Sequence, residues 1–235
     1  EGPEVSVLSF TDGHCVKPMI SSMDHKRAGD GDTGLNTGGM GTVAPNPYYT
    51  DEIAKRCMKE IFVPTIEAMN AEGRQFKGCL YFGLMLTKDG PKVIEYNCRF
   101  GDPETQVVLP LLKTDLLTIM QAVTEERLED IDIEWSDMNA CCVIAASEGY
   151  PVSYEKGNEV TIPENIRSNV YVAGATNENG ILVNTGGRVL GVTAIEPTLE
   201  KAIQSSYRMM DRIEFKNKYC RTDIGQKALA ANKEK

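Results

Sequence analysis

The alternation of apolar and polar residues in the first half of the chain predicts two antiparallel hairpins. The paired apolar runs are residues 5–10 with 16–20 and residues 79–87 with 91–97. Thr11-Asp12-Gly13-His14 separates the first pair, and Lys88-Asp89-Gly90 separates the second. Aspartate and glycine favour tight turns, because glycine adopts positive φ freely and aspartate bonds to nearby main-chain groups. The second hairpin therefore returns through a strand that ends in polar residues.

Three segments with apolar residues at helical spacing each begin at a residue that can cap a helix. These residues are Thr50, the pair Thr114-Asp115, and Thr198, whose side-chain oxygens can accept the unpaired N–H groups of a first turn. The first segment is interrupted at Pro64 and ends near Gly73. The apolar positions of the third segment are Leu199, Ala202, Ile203, Tyr207 and Met210. One face of that helix is therefore predicted to cover a sheet.

The second half of the chain has shorter apolar runs separated by turns, a pattern typical of a small β-rich unit. Strands are predicted at residues 140–146, 159–162, 170–173, 181–184 and 188–194. The acidic, poorly periodic stretch from Glu129 to Asp137 marks a domain boundary. We therefore predict an α+β protein with two domains. Residues 1–130 form an antiparallel sheet with helices, and residues 137–235 form a β-rich domain with a covering helix.

Composition narrows the functional classes. The net charge of −9 at pH 7 argues against partners such as nucleic acid or an anionic membrane surface, which attract basic proteins. The seven cysteines lack paired metal-type spacing and predict reduced thiols in the cytoplasm. The sequence begins at Glu1 and enters a strand at once, so we expect it to be part of a longer protein.

The polar end of the second hairpin is the first candidate site. Side chains alternate between the faces of a strand, so Glu95, Asn97 and Arg99 are predicted on one face and Tyr96 and Cys98 on the other. A carboxylate with an amide oxygen suits Mg²⁺, which keeps few protein ligands and takes waters or phosphate oxygens as the rest. Arg99 adds a planar guanidinium that binds phosphate or carboxylate through two hydrogen bonds. We expect Cys98 to be a small buried residue.

A plainer interpretation is a surface strand end at which Glu95 and Arg99 pair with each other, since exposed ion pairs are common and contribute little. The residues that follow favour the site. Residues 101–104 predict a sharp turn that adds two further carboxylates, those of Asp102 and Glu104. We therefore favour a metal and phosphate site.

A glycine-rich segment, residues 24–41, is the second candidate site. Its six glycines disfavour a regular helix or strand and let the backbone approach a ligand closely. Successive N–H groups in such a loop can bind an anion, to which Lys26 and Arg27 add positive charge. The alternative is a flexible surface loop. Asp30-Gly31-Asp32 is reminiscent of a calcium loop, but the glycine and glutamate that such a loop needs at later positions are missing.

Several short motifs occur in an order that points to a known family. The motifs at the hairpin are Glu95-Tyr96-Asn97-Cys98-Arg99 and Arg99-Phe100-Gly101-Asp102-Pro103-Glu104-Thr105-Gln106. The others are Asp24-His25-Lys26-Arg27, Asn36-Thr37-Gly38-Gly39-Met40-Gly41, Thr185-Gly186-Gly187-Arg188-Val189-Leu190 and Arg221-Thr222-Asp223-Ile224-Gly225. The first motif resembles the magnesium-binding strand of ATP-grasp ligases. Together the motifs resemble the phosphoribosylamine-glycine ligase (glycinamide ribonucleotide synthetase) family over essentially the whole chain.

The resemblance implies a fold, an activity and a set of ligands. The implied fold is the C-terminal part of an ATP-grasp catalytic domain, followed by a small β-rich C-terminal domain. The family joins glycine to 5-phosphoribosylamine with ATP, giving glycinamide ribonucleotide in purine synthesis through an acyl phosphate. The implied ligands are ATP, Mg²⁺ or Mn²⁺, glycine and 5-phosphoribosylamine.

The resemblance also implies roles for individual residues. Glu95 and Asn97 would hold the metal across the nucleotide phosphates, and Arg99 would stabilise charge on the transferred phosphoryl group. Asp102 would face the sugar or amine end of the substrate, and Arg188 would contact the ribose 5-phosphate. The implied substrate-binding residues are Asp24, Lys26, Arg27, Asn36, Thr37, Gly38, Gly39, Asp102, Gly187 and Arg188.

The chain departs from the family pattern in two ways. Many ATP-grasp enzymes carry a second acidic metal ligand on the preceding hairpin strand, where this chain is expected to have Gly83. The N-terminal half of the family, with its nucleotide-binding lysines and glycine-rich flap, has no counterpart here, so we expect the chain to be inactive alone. Two alternatives remain open: a non-catalytic fragment that binds metal and phosphate, and an ATP-grasp ligase for another carboxylate and amine.

Overall fold

The computed structural model describes residues 1–233, which form two compact units. The first unit contains residues 1–23 and 44–137, and the second contains residues 24–43 and the chain from Met138 onward. Residues 24–43, which the sequence analysis placed in the first domain, thus belong to the second unit. The reason is hydrogen bonding within that unit: for example, Ile144 donates its N–H to the carbonyl oxygen of Met40 at 3.1 Å.

The two units contain fourteen strands and six α-helices within the described range. The strands are β1 (Glu4–Thr11), β2 (Val16–Pro18), β3 (Met23–Asp24), β4 (Arg27–Gly29), β5 (Thr33–Asn36), β6 (Gly41–Ala44), β7 (Gly78–Thr87), β8 (Gly90–Asn97), β9 (Asn139–Ser147), β10 (Val170–Val172), β11 (Ala175–Glu178), β12 (Ile181–Asn184), β13 (Arg188–Glu196) and β14 (Lys218–Tyr219). The helices are α1 (Asp51–Cys57), α2 (Val63–Ala71), α3 (Thr105–Val108), α4 (Leu116–Thr124), α5 (Leu199–Met210) and α6 (Gln226–Lys233). None of the described helices is long and apolar enough to cross a bilayer.

The first unit is built on a four-stranded antiparallel sheet in the order β2-β1-β7-β8. Both predicted hairpins are confirmed, because β1 pairs with β2 and β7 pairs with β8. The turn of the second hairpin ends at Gly90, which has a φ of 105°. Glycine adopts this left-handed conformation without a steric cost, which explains its place in the turn.

Helices α1 and α2 cover one face of this sheet and are joined by a short π-helix, Met58–Phe62. The Thr50 side chain accepts the N–H of Ile53 at 3.4 Å, so the predicted cap is confirmed. Pro64 lies in the first turn of α2, where its missing N–H costs least. The buried core between helices and sheet consists of Val5, Val7, Val16, Cys57, Ile61, Phe62, Ile66, Leu80, Phe82 and Leu84.

The second unit is built on a six-stranded sheet in the order β10-β13-β9-β6-β3, with β14 paired to β9. Helix α5 packs on β9 and β13. Its Thr198 cap is confirmed, since the side chain accepts the N–H of Lys201 at 3.3 Å. Residues Leu199, Ala202, Ile203 and Met210 are buried, as the helical spacing predicts.

Two predictions about strands in the second unit are wrong. Residues 159–162 form only isolated bridges, Glu159 with Val183 and Thr161 with Glu214, whereas β11 was not predicted and pairs with β12. The glycine-rich segment was expected to disfavour regular structure, yet β4 pairs with β5, and β3 and β6 join the large sheet. Strands β4, β5 and β6 each contain one of its glycines, and Gly31 takes a positive φ in the link between β4 and β5, which lets the two strands pair.

Candidate functional site

The end of β8 brings Glu95 and Asn97 to the same face of the first sheet. Glu95 pairs with Gly83 and Asn97 pairs with Tyr81. Directly opposed residues in an antiparallel pair point to the same face, so these four residues share one side of the sheet. The predicted common orientation of Glu95 and Asn97 is confirmed, and Gly83, expected on the preceding strand, lies directly opposite Glu95.

The opposite face of β8 carries Tyr96, as the alternation of side chains predicts. Its ring centroid lies 5.5 Å from that of Phe82, and its hydroxyl lies 3.1 Å from Thr65 Oγ1 in α2. Cys98 is exposed, so the expectation that it is buried is wrong. The reason is that β8 ends at Asn97 on the edge of the sheet, and no further strand covers the next residue.

Arg99 lies against the amide of Asn97. Its Nη2 donates to Asn97 Oδ1 at 3.4 Å, and its Nη1 donates to the carbonyl oxygen of Phe100 at 3.1 Å. Arg99 and Glu95 are exposed, and Asn97 is half-buried. The structure therefore brings the predicted metal ligands and the predicted phosphate-binding arginine to one strand end, where a ligand can reach them.

The donor set fits a magnesium ion that takes most of its ligands from water and phosphate. It offers one carboxylate and one amide oxygen, and the opposed position is Gly83, which adds no ligand. Within residues 1–233, no group of three or more acidic, histidine or cysteine side chains could hold a metal. Mg²⁺ typically uses one or two carboxylates together with substrate phosphates. An amide oxygen accepts two partners, so the Arg99 contact leaves Asn97 able to bind a metal.

The turn after β8 directs its two carboxylates to different environments. Asp102 is exposed and accepts a hydrogen bond from Gln106 Nε2 at 3.0 Å. Glu104 is buried and accepts hydrogen bonds from Tyr81 Oη at 3.2 Å and from Ser6 Oγ at 3.5 Å. Glu104 thus fastens the turn to strands β1 and β7. No sequence pattern predicts this role, because the three residues lie far apart along the chain.

In the second unit, Arg188 and the glycine-rich segment meet. Arg188 Nη1 donates to the carbonyl oxygens of Gly38 at 2.9 Å and Gly39 at 3.3 Å. The Gly38 N–H in turn donates to Tyr150 Oη at 3.2 Å. A Cβ on Gly187 would lie 2.0 Å from the Tyr150 ring, so this ring packs directly on the glycine backbone. Four predicted substrate-binding residues are thus brought together around Tyr150, which the sequence analysis missed.

The other predicted residues of the segment divide into two groups. Asp24 and Lys26 form an ion pair at 3.2 Å, and Thr37 donates its N–H and its hydroxyl to the Lys26 carbonyl oxygen at 2.7 and 2.8 Å. Arg27 is exposed and donates to the carbonyl oxygen of Gly34 at 2.9 Å within the β4–β5 hairpin, whose last residue, Asn36, is also exposed. The Thr37 contacts link Lys26 to the loop that carries Gly38.

The motif at residues 221–225 holds the glycine-rich segment in place. Arg221 is fully buried and binds Asp223 through two hydrogen bonds, Nε to Oδ1 at 2.8 Å and Nη2 to Oδ2 at 2.7 Å. Its Nη1 donates to Asp32 Oδ1 at 2.9 Å and to the Arg27 carbonyl oxygen at 3.0 Å. Burial alone would raise the pKa of the Asp223 carboxyl, but the Arg221 guanidinium and the Gly31 N–H hold it well below its usual range.

His25 also contacts the motif at residues 221–225. Its ring is buried, with Nδ1 3.0 Å from the Gly41 carbonyl oxygen and Nε2 accepting the N–H of Gly225 at 3.2 Å. Burial lowers the pKa of His25 to about 4. The ring is therefore neutral at pH 7, with its proton on Nδ1.

Comparison with known proteins matches both ends of the chain to domains of one synthetase. The model of the phosphoribosylglycinamide synthetase ATP-grasp (A) domain matches residues 1–105, and that of the C domain of the same synthetase matches residues 140–227. A phosphoribosylamine-glycine ligase of Clostridium acetobutylicum is 48% identical over 226 residues, covering 96% of this chain and 54% of the relative. A bifunctional purine biosynthetic protein of Pichia angusta is 49% identical, covering 97% of this chain and 30% of the relative.

A solved structure of the same kind of ligase shares the fold of this chain. The crystal structure of the phosphoribosylamine-glycine ligase of Thermotoga maritima superimposes with a TM-score of 0.87 at 33% identity, covering 95% of this chain and 56% of that one. The chain thus spans about half the length of the ligases that it matches. With both domain models matched in order and the fold shared, this chain belongs to the phosphoribosylglycinamide synthetase family, as the sequence motifs predicted.

Proposed function

We propose that the chain is part of a phosphoribosylamine-glycine ligase, which uses ATP to join glycine to 5-phosphoribosylamine. The observation that carries this proposal is the common face of Glu95 and Asn97 at the end of β8, with Arg99 beside them. These residues lie in a chain of which 96% aligns with a ligase of that name. The activity belongs to the longer protein, and the chain by itself is proposed to be inactive.

Glycine is activated in this reaction as an acyl phosphate, so the main task of the site is to position phosphate groups and neutralise their charge. Glu95 and Asn97 would hold a divalent ion, which when bound neutralises charge on the β- and γ-phosphates of ATP. Arg99 contributes two N–H donors at the same strand end and stabilises charge on the transferred phosphoryl group. Asp102, oriented by Gln106, accepts a hydrogen bond from the amine substrate.

The second unit is proposed to bind the ribose phosphate end of the substrate. Two hydrogen bonds to the carbonyl oxygens of Gly38 and Gly39 fix the plane of the Arg188 guanidinium, which carries five N–H groups in a rigid arrangement suited to phosphate. Lys26 is held by Asp24 in the same segment and is the second proposed phosphate contact. The metal is proposed to be Mg²⁺ or Mn²⁺. The proposed compartment is the cytoplasm, where the seven free cysteines stay reduced.

The test uses the full-length protein that carries this sequence. ADP release is measured with glycine and 5-phosphoribosylamine present together and with each omitted in turn. We expect turnover only with both substrates, and we expect Glu95→Gln to lower kcat by about a hundredfold or more because it removes the only proposed carboxylate ligand. Glu67→Gln, an exposed carboxylate in α2, is the matched control and leaves kcat unchanged.

Two results would overturn the proposal. If ADP release required a different acid or amine, the chain would belong to a ligase of other specificity. If the full-length protein bound nucleotide without any turnover, a non-catalytic binding role would be the correct one.

A further inference from the structure

Gly83 leaves room that the side chain of Glu95 occupies. The two residues are directly opposed in the β7–β8 pair, and a Cβ built on Gly83 would lie 2.8 Å from Glu95 Cγ. Real Cβ atoms do not approach another carbon so closely, because repulsion rises steeply inside van der Waals contact. The Glu95 side chain therefore lies over the backbone of β7, in a position open to it only because residue 83 has no side chain.

The remaining surroundings of Gly83 would tolerate a methyl group. The other nearest atoms to the built Cβ are Tyr81 Cε1 at 3.4 Å and the Glu95 carbonyl oxygen at 3.5 Å, both at ordinary contact distances. The backbone of Gly83 is outside the left-handed region, so no conformational need calls for glycine here. The only close conflict is with the flexible side chain of Glu95, which can rotate away.

We propose that Gly83 is a positioning residue for the metal site: by lacking a side chain, it keeps the Glu95 carboxylate over β7 on the face that also carries Asn97. This inference rests on the proposed function of Glu95 and Asn97. It also explains why the opposed position carries no second acidic ligand. A carboxylate there would fill the space in which Glu95 lies.

Replacing Gly83 is therefore expected to weaken metal binding without lowering the stability of the fold. Gly83→Ala forces Glu95 into another rotamer, which removes its oxygen from the metal position. We expect the apparent magnesium concentration for half-maximal activity of the full-length protein to rise by about tenfold to a hundredfold, the usual effect of disturbing the orientation of a metal ligand. The melting temperature is expected to stay within about 3 °C of the parent protein although Gly83 is buried, because the close conflict is with the exposed side chain of Glu95.

The experiment compares three single variants of the full-length protein by activity as a function of MgCl₂ concentration and by thermal melting. Gly83→Ala is the test, and Glu95→Gln is the reference for loss of the ligand. Met85→Leu, a volume-conserving change two residues along the same strand, is the control and keeps the magnesium dependence of the parent. The inference is supported if only Gly83→Ala and Glu95→Gln raise the magnesium requirement.

A double variant separates positioning from general damage. In the Glu95→Ala background the conflict is absent, so adding Gly83→Ala should change neither the magnesium dependence nor the melting temperature further. If Gly83→Ala lowered activity equally in both backgrounds, or left the magnesium dependence unchanged while Glu95→Gln raised it, the inference would be wrong and the proposed function would stand. If Glu95→Gln itself had no effect, the proposed metal site would be wrong as well.

Discussion

Arg188 donates its Nη1–H to the carbonyl oxygen of Gly38 at 2.9 Å, although 150 positions separate the two residues. A Cβ on Gly38 would lie 2.8 Å from Nη2 of the same guanidinium, so the arginine packs directly against the glycine backbone. Two motifs that are distant in sequence thus form one structural feature, in which hydrogen bonds and close packing fix both the arginine side chain and the loop.

Arg188→Lys is predicted to weaken binding of 5-phosphoribosylamine by the full-length protein. An ammonium group cannot bond both carbonyl oxygens while presenting a planar pair of N–H groups to a phosphate. We expect the KM for 5-phosphoribosylamine to rise by about tenfold to a hundredfold, as for loss of a charge-assisted hydrogen bond, while the KM for glycine stays constant. Arg167→Lys, at a side chain that is 64% exposed, is the control. Equal changes in both KM values would contradict the proposed phosphate contact.

Arg221→Met is predicted to destabilise the second unit strongly. The substitution leaves Asp223 and Asp32 without the buried guanidinium that pairs with both. Breaking a buried ion pair by removing one partner costs about 3 kcal/mol or more of the free energy of unfolding, which urea denaturation measures directly. Arg212→Met, at an exposed side chain two residues after α5, is expected to cost less than about 0.5 kcal/mol. Similar costs for both variants would show that the buried pair does not hold the segment.

The Asp223 carboxylate is predicted to make stability fall in acid. Its pKa is depressed in the folded protein, so its contribution is fully present above the ordinary value of 3.8 and is lost as the pH falls from there through the depressed folded-state value. Asp223→Asn removes this dependence. Urea denaturation between about pH 5 and pH 3 should therefore show a shallower loss of stability in the variant than in the parent. Parallel curves would contradict the pairing with Arg221.

His25 is predicted to make stability depend on pH at milder acidity. The unfolded chain takes up a proton on this ring near its ordinary pKa of 6.5, whereas the folded protein does so only near 4. Stability should therefore fall as the pH drops from 6.5, by up to about 1.4 kcal/mol per pH unit. His25→Gln should flatten this slope in urea denaturation between pH 7 and pH 5, and His14→Gln, at an exposed histidine, should not. If the pH dependence of stability persisted in His25→Gln, other titrating groups would be its cause.

Tyr81→Phe is predicted to loosen the turn that carries Asp102. The change removes the hydroxyl that donates to the buried Glu104 carboxylate at 3.2 Å, and the unfolding free energy should fall by about 1–3 kcal/mol because a buried acceptor loses its partner. Tyr48→Phe, at a half-buried tyrosine of the same unit, is the matched control. An equal loss in both variants would show that the hydrogen bond to Glu104 makes no special contribution to stability.

Local chemistry explains which elements the sequence predicted correctly. The caps at Thr50, Asp115 and Thr198 were found because each side chain bonds to an N–H three residues away. The hairpin that ends in Glu95 and Asn97 was found because a short turn and strand alternation fix both the pairing and the face. In these cases the interacting groups lie close together along the chain.

Long-range contacts explain the errors. Residues 24–43 were assigned to the first domain, although their partners Arg221 and Arg188 lie far along the chain in the second. The exposure of Cys98 follows from the sheet edge, which depends on strand order. The roles of Tyr150 and Glu104 depend on partners that no local pattern specifies.

The sequence alone determined the two hairpins, the three capped helices, the family and the common orientation of Glu95 and Asn97, because turn residues, caps and alternation act over a few positions. Only the tertiary structure decided that Glu104 is buried while Asp102 is exposed, that Arg188 bonds to Gly38, and that Gly83 makes room for Glu95. The physical reason is that burial, close approach and charge pairing depend on atoms brought together from distant parts of the chain.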